Sequence, residues 1–159
     1  MFRKHFSAII YGKPFPMGRP RMSPHTSKVF TDPKEKAAMR DFVWCLKQEF
    51  RTQKLEPIPK GVPIFIKCKF VHERPKKYKG NEELRKITVP DADNLLKFIW
   101  DGLQKARIIH NDNQITDCHF MDRIAAPNVE PHTIIGLGYW DSLEIINADG
   151  SPAVPKQSK

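Results

Sequence analysis

The sequence predicts a single α+β domain, a small mixed β-sheet packed by two main helices. Three observations predict it. The length of 159 residues is that of one domain, enough to enclose a proper core. Strand-like segments lie around residues 6–11, 64–71, 115–123 and 133–140, and 64–71 alternates clearly. Two further stretches carry apolar residues at helical spacing and have helix-start signals. No repeat or internal boundary divides the chain. Residues 1–147 are expected to form the domain, and 148–159 a disordered tail.

In chain order, residues 6–11 set Phe6, Ala8 and Ile10 against Ser7, Ile9 and Tyr11. A loop follows from Gly12 to Arg21. Its prolines exclude helix and central strand and stiffen the chain. Lys13, Arg19 and Arg21 would then meet phosphates at low entropic cost; a solvated surface loop is the other reading. Residues 29–31 suggest a short strand. Asp32 is a helix N-cap, Pro33 suits the first helical position, and Glu35 stands three residues after the cap. The helix runs to about Phe50. Met39, Phe42, Val43, Leu46 and Phe50 share one face, and Trp44 points away from it.

Strand 64–71 alternates Ile64, Ile66, Cys68 and Phe70 with Phe65, Lys67, Lys69 and Val71, which turns lysines toward solvent or an anion. Residues 74–86 are basic and without period, and read as a mobile loop. Arg74, Lys76, Lys77 and Lys79 are its candidate phosphate contacts; solubility alone is the plain alternative. The second helix starts at Asp93 or one residue earlier and ends near Ala106. Its core face is Ala92, Leu95, Leu96, Ile99, Leu103 and Ala106, with Phe98 and Trp100 flanking it. So wide an apolar belt suggests a subunit interface.

The formal charge of +9 and the pI near 9.6 favour a polyanionic partner. No apolar run approaches the ~20 residues of a membrane span. Residues 1–5 lead into no apolar signal segment. Cys45, Cys68 and Cys118 contain no Cys-x-x-Cys pair, so neither a zinc knuckle nor a disulfide framework is indicated. A reducing cytoplasm is the expected location. No Ser or Cys lies in a recognisable nucleophile context.

Against this basic background three acids stand out. Asp91 and Asp93 lie two residues apart where the second helix begins, and Asp112 follows in the turn after it. Clustered carboxylates repel one another unless a cation joins them. A hard divalent ion takes one or two carboxylates, waters and a substrate phosphate. It polarises that phosphate and activates a water. Acids for a metal amid bases for a DNA backbone are the pattern of a metal-dependent nuclease. The alternative is a helix cap at Asp93 paired with Lys97, each worth about 1 kcal/mol or less. His110 could assist proton transfer or be a solvated turn residue. A helix of this length spans about 20 Å, so Asp112 is not expected to reach Asp91 in the same chain. A two-fold dimer with antiparallel helices would bring Asp112 of one copy to Asp91 and Asp93 of the other.

At these residues the sequence resembles the RusA family of Holliday junction resolvases. The match is Asp91-Ala92-Asp93-Asn94-Leu95-Leu96-Lys97, then Asp101-Gly102-Leu103, then Asn111-Asp112-Asn113-Gln114-Ile115. The combination is specific. The loop from Gly12 to Arg21 also resembles the N-terminal segment of members from phages and Gram-positive bacteria, and the resemblance spans most of residues 6–140. It implies a homodimeric, Mg²⁺-dependent endonuclease, with Mn²⁺ able to substitute, that cuts four-way DNA junctions by paired nicks. It implies metal-binding catalytic roles for Asp91, Asp93 and Asp112, and an essential lysine at Lys97 near the scissile phosphate. Branched DNA is the implied substrate, with no membrane and no small-molecule substrate involved. The implied setting is a bacterial host's cytoplasm and a phage or prophage. One position departs: the usual Asp-Asp pair is Asn111-Asp112 here. The competing readings are a non-catalytic basic DNA-binding dimer and a metal nuclease for other branched DNA.

Overall fold

A five-stranded mixed sheet carries two helices on one face, in the computed structural model, which describes residues 1–18, 21–26, 28–143 and 146–151. The elements are β1 (Phe2–Tyr11), β2 (Arg21–Met22), β3 (Val29–Phe30), α1 (Pro33–Thr52), β4 (Ile64–His72), β5 (Leu84–Arg85), α2 (Ala92–Lys105), β6 (Ile115–Ile124) and β7 (His132–Trp140). The sheet order is β1-β7-β4-β6-β5, and β2 pairs with β3 as a separate two-stranded ribbon. No helix among the described residues is long and apolar enough to cross a membrane.

Within the sheet every neighbouring pair is antiparallel except β4 and β6. Parallel neighbours need a crossover connection, usually a helix. Here α2 supplies it, running back from the carboxyl end of β4 to the amino end of β6. The two ends of α2 therefore lie at opposite ends of the sheet. This topology decides where the acids can stand.

Strand register collects the core. Phe6 and Ala8 of β1 pair with Leu137 and Ile135 of β7, which pair in turn with Ile66 and Cys68 of β4. All six are buried beneath Met39, Phe42 and Leu46 of α1 and Leu95, Leu96, Ile99 and Leu103 of α2. Each fully buried large apolar side chain contributes about 1.5–3 kcal/mol. Burial also pushes the Cys68 thiol pKa well up, which leaves that sulfur unreactive.

Helix α1 starts as its sequence dictates: Asp32 Oδ1 accepts from Lys34 N at 2.8 Å, with Pro33 in the first turn. Trp44, 64% exposed, packs on nothing in the core. Much of the apolar belt of α2 packs within the chain. Phe98 is 4% exposed, its ring 5.4 Å from Phe15 and 5.3 Å from Phe42. Trp100 is half-buried.

The helices can approach because Gly102 has no side chain. A Cβ there would run into the Phe42 ring. Gly102→Ala gains about 0.5–1 kcal/mol of helix propensity but overpacks the contact at a cost of about 1–3 kcal/mol. The expected result is a net loss of stability, read as a lower urea midpoint with unchanged m-value.

The basic segment after β4 is not the mobile loop expected from its composition. The half-buried Arg74 organises it. Its guanidinium donates to the carbonyls of Glu82 at 2.9 Å, Ala125 at 3.0 Å and Lys79 at 2.9 Å. Longer contacts reach Gly80 at 3.3 Å and Tyr78 at 3.4 Å. Glu83 adds ion pairs to Lys69 at 2.9 Å and Arg123 at 3.6 Å. In the segment expected to be a tail, residues 148–151 form a turn, with Asn147 N donating to Ser151 O at 2.8 Å. Residues 152–159 lie outside the described residues.

Candidate active site

Asp91 occupies the N-cap position of α2, yet its side chain makes no capping hydrogen bond. Asp93 sits in the first turn. Its carboxylate lies 3.7 Å from Lys97 Nζ, and both side chains are mostly exposed. A surface pair of that kind contributes about 0–1 kcal/mol. Capping and pairing thus account for little of the two acids. Both carboxylates are exposed hard oxygen donors at the positive end of a helix dipole, which favours negative charge there.

They open onto a groove of about 860 Å³ between α1 and α2. Asp32, Glu35 and Asp101 line it with Asp91 and Asp93; Lys36, Arg40, Lys97 and Lys105 are its bases. Asp101 is paired with Lys105 at 3.2 Å. The loop after β1 closes one end. Met17 N donates to Asn94 O at 2.9 Å, and Gly18 N donates to Glu35 Oε2 at 2.7 Å. Glu35 is therefore drawn to Gly18 instead of turning back to its own helix start. Sequence reading missed Lys36 and Arg40. They stand four residues apart on the polar side of α1, a spacing that signals a shared face but not what the face meets.

Asp112 stands elsewhere. It begins a single 3₁₀ turn, Asp112–Gln114, beyond the carboxyl end of α2. The 14 residues of α2 separate it from Asp91, about 20 Å at 1.5 Å per residue. No group of three His, Cys, Asp or Glu within one chain could hold a metal among the described residues. The turn itself is firmly held. Buried Gln114 donates through Nε2 to the carbonyls of Pro59 and Val62, both at 3.0 Å. Its Oε1 accepts from His110 N and Asn111 N at 3.3 Å. Asn111 caps the turn, its Oδ1 accepting from Asn113 N at 2.9 Å. Asn and Asp cap about equally well, so the Asn111 departure falls on a structural position. The exposed Asp112 carboxylate has no hydrogen-bond or ion-pair partner among the described residues, while its backbone N donates to Gln104 Oε1 at 3.0 Å.

The candidate DNA-binding residues divide. Lys76, Lys77 and Lys79 are exposed, with Lys77 Nζ 5.2 Å from the Tyr78 ring centroid. Lys13 is exposed but paired with Glu73 at 2.7 Å, and it holds that carboxyl below the usual carboxylate range. Arg74 differs from the lysines. An arginine has five N–H donors, and here they meet the carbonyls of Tyr78, Lys79, Gly80 and Glu82 in its own loop and of Ala125 after β6, so in this structure it shapes the loop. Arg21 lies in β2 opposite Phe30. Arg19 lies outside the described residues.

Comparison with known proteins identifies the family. The family model described as endodeoxyribonuclease RusA matches residues 11–135, from the end of β1 to the middle of β7. The chain is 30% identical over 114 residues to the uncharacterized protein YqaN of Bacillus subtilis (strain 168), covering 68% of this chain and 80% of that one. It is 27% identical over 111 residues to the crossover junction endodeoxyribonuclease RusA of Aquifex aeolicus (strain VF5), covering 70% of this chain and 75% of that one. With α2, both groups of acids and the four longest strands inside or overlapping the matched region, the chain belongs to the RusA endodeoxyribonuclease family.

Proposed function

We propose that this endodeoxyribonuclease is a divalent-metal-dependent resolvase that works as a homodimer. It cuts four-way DNA junctions by paired symmetric nicks, in the cytoplasm of a bacterial host. The observation that carries the proposal is the uncapped Asp91 carboxylate beside Asp93 at the mouth of a groove edged with bases. Two hard carboxylates with room for water and phosphate suit Mg²⁺, or Mn²⁺ in its place. When bound, such an ion polarises the scissile phosphate and lowers the pKa of an attacking water. Asp91 and Asp93 would hold it from one copy of the chain and Asp112 from the second. Lys97, one turn along from Asp93, would balance charge on the phosphate. Lys13, Lys36, Arg40 and the 76–79 lysines would hold the backbone.

The dimer draws support from an uncovered strip. Cys118 and Phe120 of β6 pair with Ile66 and Cys68, so they point to the helix side of the sheet. The helices leave them in solvent, with Phe120 45% exposed. Phe120 lies on the strand between the end near Asp91 and the end near Asp112. A two-fold axis there would set two α2 helices antiparallel and join the separated acids.

The test is cleavage of a labelled four-way junction with Mg²⁺ or with EDTA, linear duplex serving as control. Symmetric, metal-requiring nicks on the junction alone are expected. Tight junction binding without cleavage would favour a non-catalytic binding dimer, and equal cutting of flaps or forks a broader branched-DNA nuclease. Salt dependence checks the lysines. Replacing Lys76, Lys77 and Lys79 by Ala should flatten the slope of log K against log salt by up to about 3, near 0.9 per lost phosphate contact. Thermal stability should barely move. Arg74→Ala should do the reverse in stability, lowering the melting temperature by loosening the loop.

A further inference from the structure

A partly buried polar chain stands behind the segment that carries Asp91. The side chain of Lys86 is 4% exposed, which is rare for a lysine. Its ammonium has three donors, and three acceptors meet it: the carbonyl of Thr88, the carbonyl of Pro90 at 3.0 Å and Asp122 Oδ2 at 3.2 Å. Asp122 Oδ1 lies 2.7 Å from His72 Nε2. Asp122 and His72 belong to the parallel strands β6 and β4. The chain of contacts therefore runs from two strands of the sheet, through one ammonium, to the carbonyl immediately before Asp91.

Stability alone does not call for this arrangement. A buried ion pair is often no more stabilising than apolar side chains of similar volume. What apolar side chains could not do is grip two carbonyls of an extended segment. Ile87 and Val89, 96% and 80% exposed, pack on little that would hold it. We infer that Lys86, tied to Asp122 and through it to His72, is a positioning group for Asp91. It fixes the backbone from Thr88 to Asp91, and with it the direction from which the Asp91 carboxylate meets a divalent cation. This rests on the reading of Asp91 as a metal ligand.

The test uses the full chain and the double variant Lys86→Met with Asp122→Asn. This removes both charges and leaves neither one buried and unpaired. Three quantities are read: Mn²⁺ affinity by calorimetry, hydrogen exchange at the amides of residues 87–89 and 91, and junction affinity in EDTA. The expected result is about a 10–100-fold loss of Mn²⁺ affinity, the range seen for groups that orient metal ligands. Exchange should speed up at those amides, with junction affinity within about two-fold of wild type because the buried Lys86 reaches no phosphate. Unchanged Mn²⁺ affinity and exchange in the folded double variant would overturn the inference. Should that variant not fold, His72→Gln, which leaves the Lys86–Asp122 pair intact, should still weaken Mn²⁺ binding several-fold; no change would overturn it equally. A wild-type protein that binds no Mn²⁺ would overturn the metal reading together with the inference. Wild-type binding matched by the variants would overturn the inference alone.

Discussion

Asp93→Asn should lower metal-dependent junction cleavage by about 10³-fold or more, and Asp91→Asn should do the same. The size follows from charge. A metal held in place stabilises the developing negative charge by several kcal/mol, and each 1.36 kcal/mol is a factor of ten in rate. Asn keeps the shape of Asp but removes the charge a hard cation prefers. The fold should be nearly indifferent. The Asp91 side chain makes no capping bond. The Asp93–Lys97 pair, 3.7 Å apart and mostly exposed, contributes about 0–1 kcal/mol. Favourable placement of Asp93 at the helix start adds only about 0.3–1 kcal/mol. Junction affinity in EDTA should hold or rise, since a negative charge facing the phosphates has gone. Rate constants under single turnover, set beside melting temperatures and binding curves, check all three. An Asp93→Asn variant that still cuts at wild-type rate would remove the acids from the chemistry and leave them as surface charges.

Mixing two inactive variants should restore activity. Asp93→Asn keeps Asp112 and Asp112→Asn keeps Asp91 and Asp93. If each site takes its acids from two copies, every homodimer is dead. Each mixed dimer has one site with all three acids and one site with neither Asp93 nor Asp112. With random exchange about half the dimers are mixed, so about a quarter of wild-type sites should reappear. They should make single nicks rather than paired ones. Sites built within one chain would recover nothing, because each copy carries a defect. Adding Phe120→Arg to both variants should abolish the recovery by placing charge on the uncovered strip of β6. The topology sets the expectation: α2 is the crossover between parallel strands, so its two ends cannot meet in one molecule.

Much of this molecule was written locally. The α1 start followed from Asp32 and Pro33, because capping needs only neighbours in the chain. The α2 core face and the alternation of β4 followed from period alone, since one face of each must leave water. The pairing of Asp91 with Asp93 was also legible, being two residues of spacing at a helix start. Even the separation of Asp112 followed from helix length. Tertiary structure decided the rest. The strand order and the parallel β4–β6 pair depend on contacts distant in sequence, which no local period encodes. Phe98 went to the core because Phe15 and Phe42 arrive from other elements. Composition records the charge of Arg74 but not the carbonyls that surround it. Lys36 and Arg40 joined the groove through helix packing, and Lys86 met Asp122 across 36 residues. Charge and period are properties of the chain, whereas what a side chain faces is a property of the fold.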